Sequence, residues 1–416
     1  MRIPRDLYLD KLIRKQHNGL IKIITGVRRC GKSYLLFEIF YDYLLKSGVM
    51  SDHIIQVAFD DRRNRELRDA DALLDFVTHS ISDSGEYYIL LDEIQFVDGF
   101  EDVLNSLLHI KNVDVYVTGS NSHFLSSDVV TQFRGRGDEI HVWPLAFAEF
   151  WKVYDGSFEQ AWDDYIVYGG LPLVSSFITP EDKSNYLTSL FQKVYISDIV
   201  ERHNVKNAIE LDELVDVLAS GIGSYASISK LAKTFNSKHN SGISDKTVKK
   251  YIDYLQDSYL INKVKKFDVK GRKYIGTPAK YYFEDVGLRN SRLNFRQIEE
   301  THLMENVIYN ELRIYGFNVD VGMIESIERD SEGNMKKKQL EVDFIASKGP
   351  EKVYVQSAFE MKTEEKIKNE RRGLTKVQDS FKKVIVVRED IKPRYDEDGV
   401  EIVGLKNFLL SSLPNH

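Results

Sequence analysis

Along the first third of the chain, apolar residues come in short unbroken runs separated by longer amphipathic stretches. Residues 20–24, 54–59, 87–91 and 113–118 are rich in β-branched and aromatic side chains and short enough to be buried strands. Residues 34–45, 71–78 and 100–109 lie between them and read as helices, the first free of Gly and Pro through its opening turns. This alternation predicts an α/β fold: a mostly parallel sheet with helices on both faces and ligands outside the carboxyl ends of its strands.

Beyond residue 143 the pattern changes. Trp143-Pro144-Leu145-Ala146-Phe147-Ala148-Glu149-Phe150-Trp151 ends a strand and opens an aromatic helix, and Tyr168-Gly169-Gly170-Leu171-Pro172 is a strongly punctuated turn. Leu187, Leu190, Phe191, Val194 and Ile199 then make one apolar helical face. Residues 211–268 follow the order helix, short helix, helix, strand pair, with Ile228, Leu231 and Ala232 facing inward. Ser244 opens the third helix, and Val248, Tyr251, Ile252 and Leu255 form its apolar face. That leaves Lys246, Lys249 and Lys250 on its exposed side, ahead of the basic stretch Lys263-Val264-Lys265-Lys266, which is a helix-turn-helix order with a basic wing. Strands are expected at 280–285, 340–345, 352–356 and 384–387, with a helix carrying Leu303, Val307, Ile308 and Leu312 and a solvated helix over 362–372.

Composition adds bounds. A chain of 416 residues exceeds one ordinary core, and 42% hydrophobic against 29% charged residues is the balance of a soluble globular protein. No apolar run is long enough to span a membrane, and Met1-Arg2-Ile3-Pro4-Arg5-Asp6 is not a signal peptide. The single cysteine, Cys30, excludes an intrachain disulfide and fits a reducing cytoplasm. A formal net charge of -7 gives no support for nucleic-acid binding by the chain as a whole, though a local basic face remains open.

The chemistry begins at Gly26-Val27-Arg28-Arg29-Cys30-Gly31-Lys32-Ser33, which matches the phosphate-binding pattern GxxxxGK[ST] between a strand and a helix that opens with Tyr34. Backbone N–H groups and the helix N-terminus make such a loop an anion cradle; Lys32 would reach the β- and γ-phosphates and Ser33 the Mg2+ shell. Asp92 and Glu93 end the next buried run, where Asp92 would hold the metal shell and Glu93 would polarise the attacking water. Ser120 or Asn121, after the run 113–118, fits either a γ-phosphate contact or a turn. Arg134 and Arg136, set among glycines, fit either a phosphate-answering role in cis or from a neighbouring subunit, or surface salt bridges.

The ordered set GVRRCGKS, YYILLDEIQ, VYVTGSNS, QFRGRGDEIHVWPLAFAEF and YGGLP resembles the AAA-type ATPases of archaea and bacteria, and KYYFEDVGLRN, ENVIYNELRIYG, QLEVDFIA and YVQSA extend the resemblance to the tail. It implies a P-loop ATPase core over 1–150, a helical lid or linker over 151–210, a winged helix over 211–275 and a restriction-endonuclease-like domain over 276–416. It also implies ATP and Mg2+ as ligands, with Ser120 or Asn121 at a sensor position. A restriction-type nuclease needs an acid on its first core helix, an aspartate at a strand end and an acid-x-lysine pair on the next strand. Glu305 and Asp343 match the first two positions, but Tyr354 and Gln356 stand where the acid and lysine should be, so the site is expected to be degenerate. Lys352, Lys362 and Lys366 are the nearby lysines that could restore the charge.

Function is therefore expected to be Mg-dependent ATP binding and hydrolysis that drives a switch or motor acting on DNA, through Lys246, Lys249 and Lys250, or on a protein partner. An ATP-binding adaptor with little turnover is the alternative, and an ATP-regulated nuclease fits least well. Monomer and homo-oligomer both remain open.

Overall fold

The structure is a computed structural model that describes residues 2–119, 135–239, 242–329 and 335–412. Two compact units account for the chain. The first comprises Met1–Pro144, Leu171–Ser176 and Asp257–Tyr259; the second comprises Leu145–Gly170, Phe177–Gln256 and Leu260–His416.

The first unit is built on five strands: β1 (Ile21–Thr25), β2 (Ile54–Ala58), β3 (Tyr87–Asp92), β4 (Val113–Thr118) and β5 (Gly137–His141). They form a parallel sheet in the order β2-β3-β4-β1-β5. β1 and β3 are buried along their whole length, as continuous apolar runs in a two-faced parallel sheet must be. One face packs Ile23, Val57, Ile89, Leu91, Val115 and Val117 against the helices Ala70–Ser80 and Phe100–Leu107. On the other face Phe40 meets Tyr116 with ring centroids 4.7 Å apart, which brings in the helix that begins at Lys32. That helix widens to an i→i+5 winding over Leu35–Phe40 before closing over Tyr41–Lys46. The run pattern placed the four apolar strands; it did not reveal β5 or the N-terminal helix Asp6–Arg14.

Lys22 on β1 and Asp114 on β4 form an ion pair with almost no exposed surface. Tyr116 donates to the same carboxylate at 2.9 Å and the His17 amide at 3.1 Å. Burial holds the Lys22 ammonium below its ordinary range, opposed by Asp114.

In the second unit the two helices Ile228–His239 and Asp245–Asp257 precede the hairpin β6 (Ile261–Asp268) and β7 (Lys273–Phe283). The remaining strands are β8 (Asn318–Arg329), β9 (Met335–Lys348), β10 (Glu351–Ala358), β11 (Lys382–Val387), β12 (Arg394–Tyr395) and β13 (Glu401–Gly404). All eight strands belong to one sheet, ordered β12-β13-β11-β10-β9-β8-β6-β7. This divides the chain differently from the sequence-based boundaries. β6 pairs with β8, so the hairpin expected to end a separate 211–275 domain shares a sheet with the tail, and β7 runs through the expected boundary. Strand pairing across that boundary is a long-range choice with no signature in local periodicity. The first unit likewise stops at Pro144, six residues before the expected 150, and takes back Leu171–Ser176. No helix among the described residues is long and apolar enough to cross a membrane.

Glu311, on the helix Glu300–Ile314, is fully buried; one oxygen accepts from the Phe147 amide at 2.7 Å. Burial pushes its carboxyl up to about 8. Such a group binds its proton more tightly folded than unfolded, so its contribution is present at low pH and is lost as pH rises from about 4.5 through about 8.

Two outcomes are expected. Asp114→Ala strands the Lys22 ammonium and should cost about 3–5 kcal/mol in urea unfolding. Glu311→Gln should flatten the decline in melting temperature between pH 5 and 9 and stabilise the protein above pH 8, by a few kcal/mol at most.

Candidate active site

β1 ends in Thr25, and the chain turns at once through Gly26. A Cβ on Gly26, at φ +136°, would lie 2.1 Å from the Val142 carbonyl oxygen, so only glycine lets the loop leave the sheet here. Gly31, at φ +100°, caps the helix that starts at Lys32, and Arg29 also takes a left-handed conformation at φ 66°. Val27 and Cys30 are buried, Arg28 is half-buried, and Arg29, Ser33 and Tyr34 are exposed. Cys30 is thus a small packed residue of the loop. Lys32 is only 5% exposed, and its ammonium donates to the Gly26 and Val27 carbonyls at 2.9 and 3.1 Å. Arg5 braces the loop from the N-terminal side, donating to the Cys30 carbonyl at 2.9 Å and the Trp143 carbonyl at 2.7 Å. The pattern of the sequence gave no hint of that arginine's role.

Asp92 is the last residue of β3 and is 4% exposed. Thr118, at the tip of β4, donates to its Oδ1 at 2.5 Å, and the Ser33 hydroxyl is a second hydrogen-bond partner. Burial raises the Asp92 carboxyl; the hydroxyls of Thr118 and Ser33 oppose this, while the charges of Glu93 and Asp60 add to it. Glu93 sits in a left-handed turn at φ 54°, its amide donating to Thr118 Oγ1 at 2.9 Å and its carboxylate accepting from Gln95. Thr118 therefore joins both acids, and it was not among the residues singled out from sequence. The signal was present: a polar residue closing an apolar strand at the ligand edge. Asp60, just beyond β2, was missed as well.

The expected Ser120, Asn121 and Arg134 lie outside the described residues. Arg136 is described, and its placement corrects the cis reading. Its carbonyl accepts from the Ile21 amide at the start of β1, whereas the phosphate loop leaves the other end of that strand. Five strand residues separate the two ends by about 16 Å, beyond an arginine's reach. Arg136 instead donates to Asn105 at 3.2 Å on the surface.

An oxygen-only pair, the Ser33 hydroxyl and the Asp92 carboxylate, fits Mg2+, which is commonly held by one or two protein oxygens together with substrate phosphates. Among the described residues no group of three or more His, Cys, Asp or Glu side chains is arranged to hold a metal.

The C-terminal acids adopt a different arrangement. Glu305 and Glu341 both pair with Lys280 of β7, at 2.9 and 2.8 Å, and Lys280 is 4% exposed. Tyr282 donates to Glu305 at 2.5 Å and Tyr225 to Glu341 at 2.6 Å. Asp343 accepts from the Ser357 amide at 2.8 Å, and burial, together with Glu305, pushes its carboxyl far up. Burial opposes the charge on Lys280, yet Glu305, Asp343 and Glu341 outweigh it and hold the ammonium above its ordinary range. The charge lacking at Gln356 is supplied by Lys280, not by Lys352, Lys362 or Lys366. Gln356 itself accepts from the Asp343 amide at 3.3 Å and donates to Glu370 at 3.1 Å.

Lys246, Lys249 and Lys250 are exposed on the helix Asp245–Asp257, opposite the buried Val248, Tyr251, Ile252 and Leu255. Lys266, expected in the basic wing, is buried and lies 3.7 Å from the Tyr225 ring centroid.

A parallel sheet with β4 inserted between β1 and β3, a GxxxxGK[ST] loop and an acid pair together define an AAA-type P-loop ATPase. The family model described as an AAA domain matches residues 18–151, and one described as a domain of unknown function matches 159–299. The chain belongs to the same family as an uncharacterized protein of Haemophilus influenzae, 33% identical over 98% of both chains. An uncharacterized protein of Methanocaldococcus jannaschii is 27% identical over 99% of this chain and 90% of its own. The Orc1 protein of Aeropyrum pernix in complex with DNA, a solved structure, shares 14% identity over 71% of this chain and 93% of its own at a TM-score of 0.27. A TM-score this low bears on no functional property of this chain.

Thr118→Val keeps the shape of the strand end and removes the hydroxyl. It is expected to lower Mg-ATP turnover roughly ten- to a hundredfold, with the circular dichroism spectrum unchanged.

Proposed function

We propose that the protein binds and hydrolyses ATP with Mg2+ and uses the cycle to switch the conformation through which it acts on DNA or a protein partner. The main support is one connected set of hydrogen bonds: Ser33 to Asp92, Asp92 to Thr118, and Thr118 to the Glu93 amide. It gathers the phosphate loop and both acids at neighbouring strand ends.

In this reading the loop amides and the helix N-terminus bind the polyphosphate. Lys32 exchanges neutral carbonyl acceptors for phosphate oxygens, which bind an ammonium more strongly. Mg2+ held by Ser33 and Asp92 would neutralise charge on the transferring phosphoryl group. Glu93 orients the attacking water and takes its proton as the bond to the ADP oxygen breaks. An arginine that answers the γ-phosphate has to come from elsewhere, and the exposed Arg136 is available to a neighbouring copy. Lys246, Lys249 and Lys250 form the basic face offered to DNA phosphates, a contact that would carry no sequence information. A nuclease reading has weaker support, because Lys280 already neutralises the carboxylates that would hold its metal.

Steady-state ATP hydrolysis tests this with the native chain, Lys32→Ala and Glu93→Gln, each with and without duplex DNA. Both variants should lose about a hundredfold or more in turnover, and DNA should stimulate the native chain. Nucleotide binding without turnover would replace the switch by an ATP-binding adaptor.

A further inference from the structure

Two sequence segments that the nucleotide chemistry does not use, Tyr168-Gly169-Gly170-Leu171-Pro172 and Glu284-Asp285-Val286-Gly287-Leu288-Arg289-Asn290, meet in the second unit. Asp285 is 2% exposed; its Oδ2 accepts from the Gly170 amide at 2.8 Å, and its Oδ1 accepts from the Leu288 amide at 2.8 Å, capping the helix Val286–Arg292. The Gly170 carbonyl in turn accepts from the Leu145 amide at 2.7 Å. Asn290 donates to the Ile166 and Val167 carbonyls, both at 2.9 Å, at the end of the helix Phe158–Tyr168. The fit leaves no room for side chains. A Cβ would lie 2.3 Å from Asp285 Oδ1 at Gly169, 2.5 Å from the Leu145 oxygen at Gly170, and 2.0 Å from the Tyr168 oxygen at Gly287. Gly169 also adopts φ 76° and ψ −168°, a conformation essentially restricted to glycine.

The next residues belong to the first unit. Leu171–Ser176 packs there, with Leu171 and Val174 buried, and Pro172 stands beside the phosphate loop: a Cβ on Gly31 would sit 3.7 Å from Pro172 Cγ. Two residues of chain span at most about 7 Å. Fixing Gly170 therefore restricts where Pro172 can stand, and Pro172 borders the residue whose left-handed turn aims the loop into its helix.

We propose that Asp285 is a positioning residue for nucleotide binding, acting through Gly170, Leu171 and Pro172 on the phosphate loop at Gly31. The inference rests on the ATPase reading above. It assigns to the double glycine and to the aspartate one task, the holding of a strap against the loop, and it makes the order of the helix Val286–Arg292 felt by bound nucleotide.

Asp285→Ser separates this task from simple capping. A serine hydroxyl still caps the Leu288 amide but cannot also reach Gly170. With the full chain and Mg-ATP, Asp285→Ser should raise KM about tenfold, the change falling on KM and not on kcat. Pro172→Ala should do the same, and the double variant should be no worse than either single, because both break one path. A KM for Asp285→Ser equal to that of the native chain, or effects that multiply in the double variant, would overturn the inference while leaving the ATPase reading intact. A native chain that neither binds nor hydrolyses Mg-ATP would overturn both.

Discussion

A carboxylate with 4% of its surface exposed has lost most of its hydration, and the fold has to compensate for that loss locally. Asp92 is that carboxylate, and the arrangement of the nucleotide site follows from how it is satisfied. Thr118 donates to it from β4 and Ser33 from the phosphate loop. Because β4 lies between β1 and β3, its terminal hydroxyl stands between the loop and the acids, and the same oxygen receives the Glu93 amide. Three strand ends are thereby held in register by one threonine. The arrangement leaves Asp92 poised between a buried acid and a metal ligand, which is the state a site that takes up a cation with its nucleotide requires.

Around this centre the backbone is locally strained. Gly26, Arg29, Gly31 and Glu93 all take positive φ within the phosphate loop and the acid turn. Such conformations persist only where their surroundings determine them. Val142 presses on Gly26, and Arg5 ties the Cys30 carbonyl to the Trp143 carbonyl. The loop is thus preorganised from outside as well as by its own glycines, which reduces the ordering that a bound polyphosphate must impose.

The C-terminal sheet meets the same electrostatic problem in another way. Glu305, Glu341 and Asp343 converge in a buried space, and Lys280 enters among them from the adjoining hairpin. An ammonium donates several hydrogen bonds and carries the compensating charge, so the cluster is satisfied without a metal. Two tyrosines complete it, Tyr282 on Glu305 and Tyr225 on Glu341. The hairpin and the tail share a sheet because Lys266–Asp268 pair with Val321–Met323, and that pairing is what brings β7 and its lysine to the acids.

The phosphate loop, the acid pair, the four apolar strands and the exposed lysines of the helix Asp245–Asp257 were all legible in the sequence, because each is written in local spacing: a run of β-branched residues, a glycine pattern, a helical stripe. Thr118, Asp60, Arg5 and Lys280 were not, since their roles depend on which strands lie side by side. The candidacy of Arg136 was read from residue type alone, and the parallel register of β1 and β5 puts it at the wrong end of the sheet for its own phosphate loop. Tyr354 and Gln356 showed a missing charge, but only the fold supplied its replacement from a strand far upstream. By itself the sequence determined the elements and the chemistry carried within single turns, for those depend on neighbours along the chain. Which buried charge faces which partner was decided by the tertiary structure, because strand order and register bring together residues whose separation in sequence carries no trace of their contact.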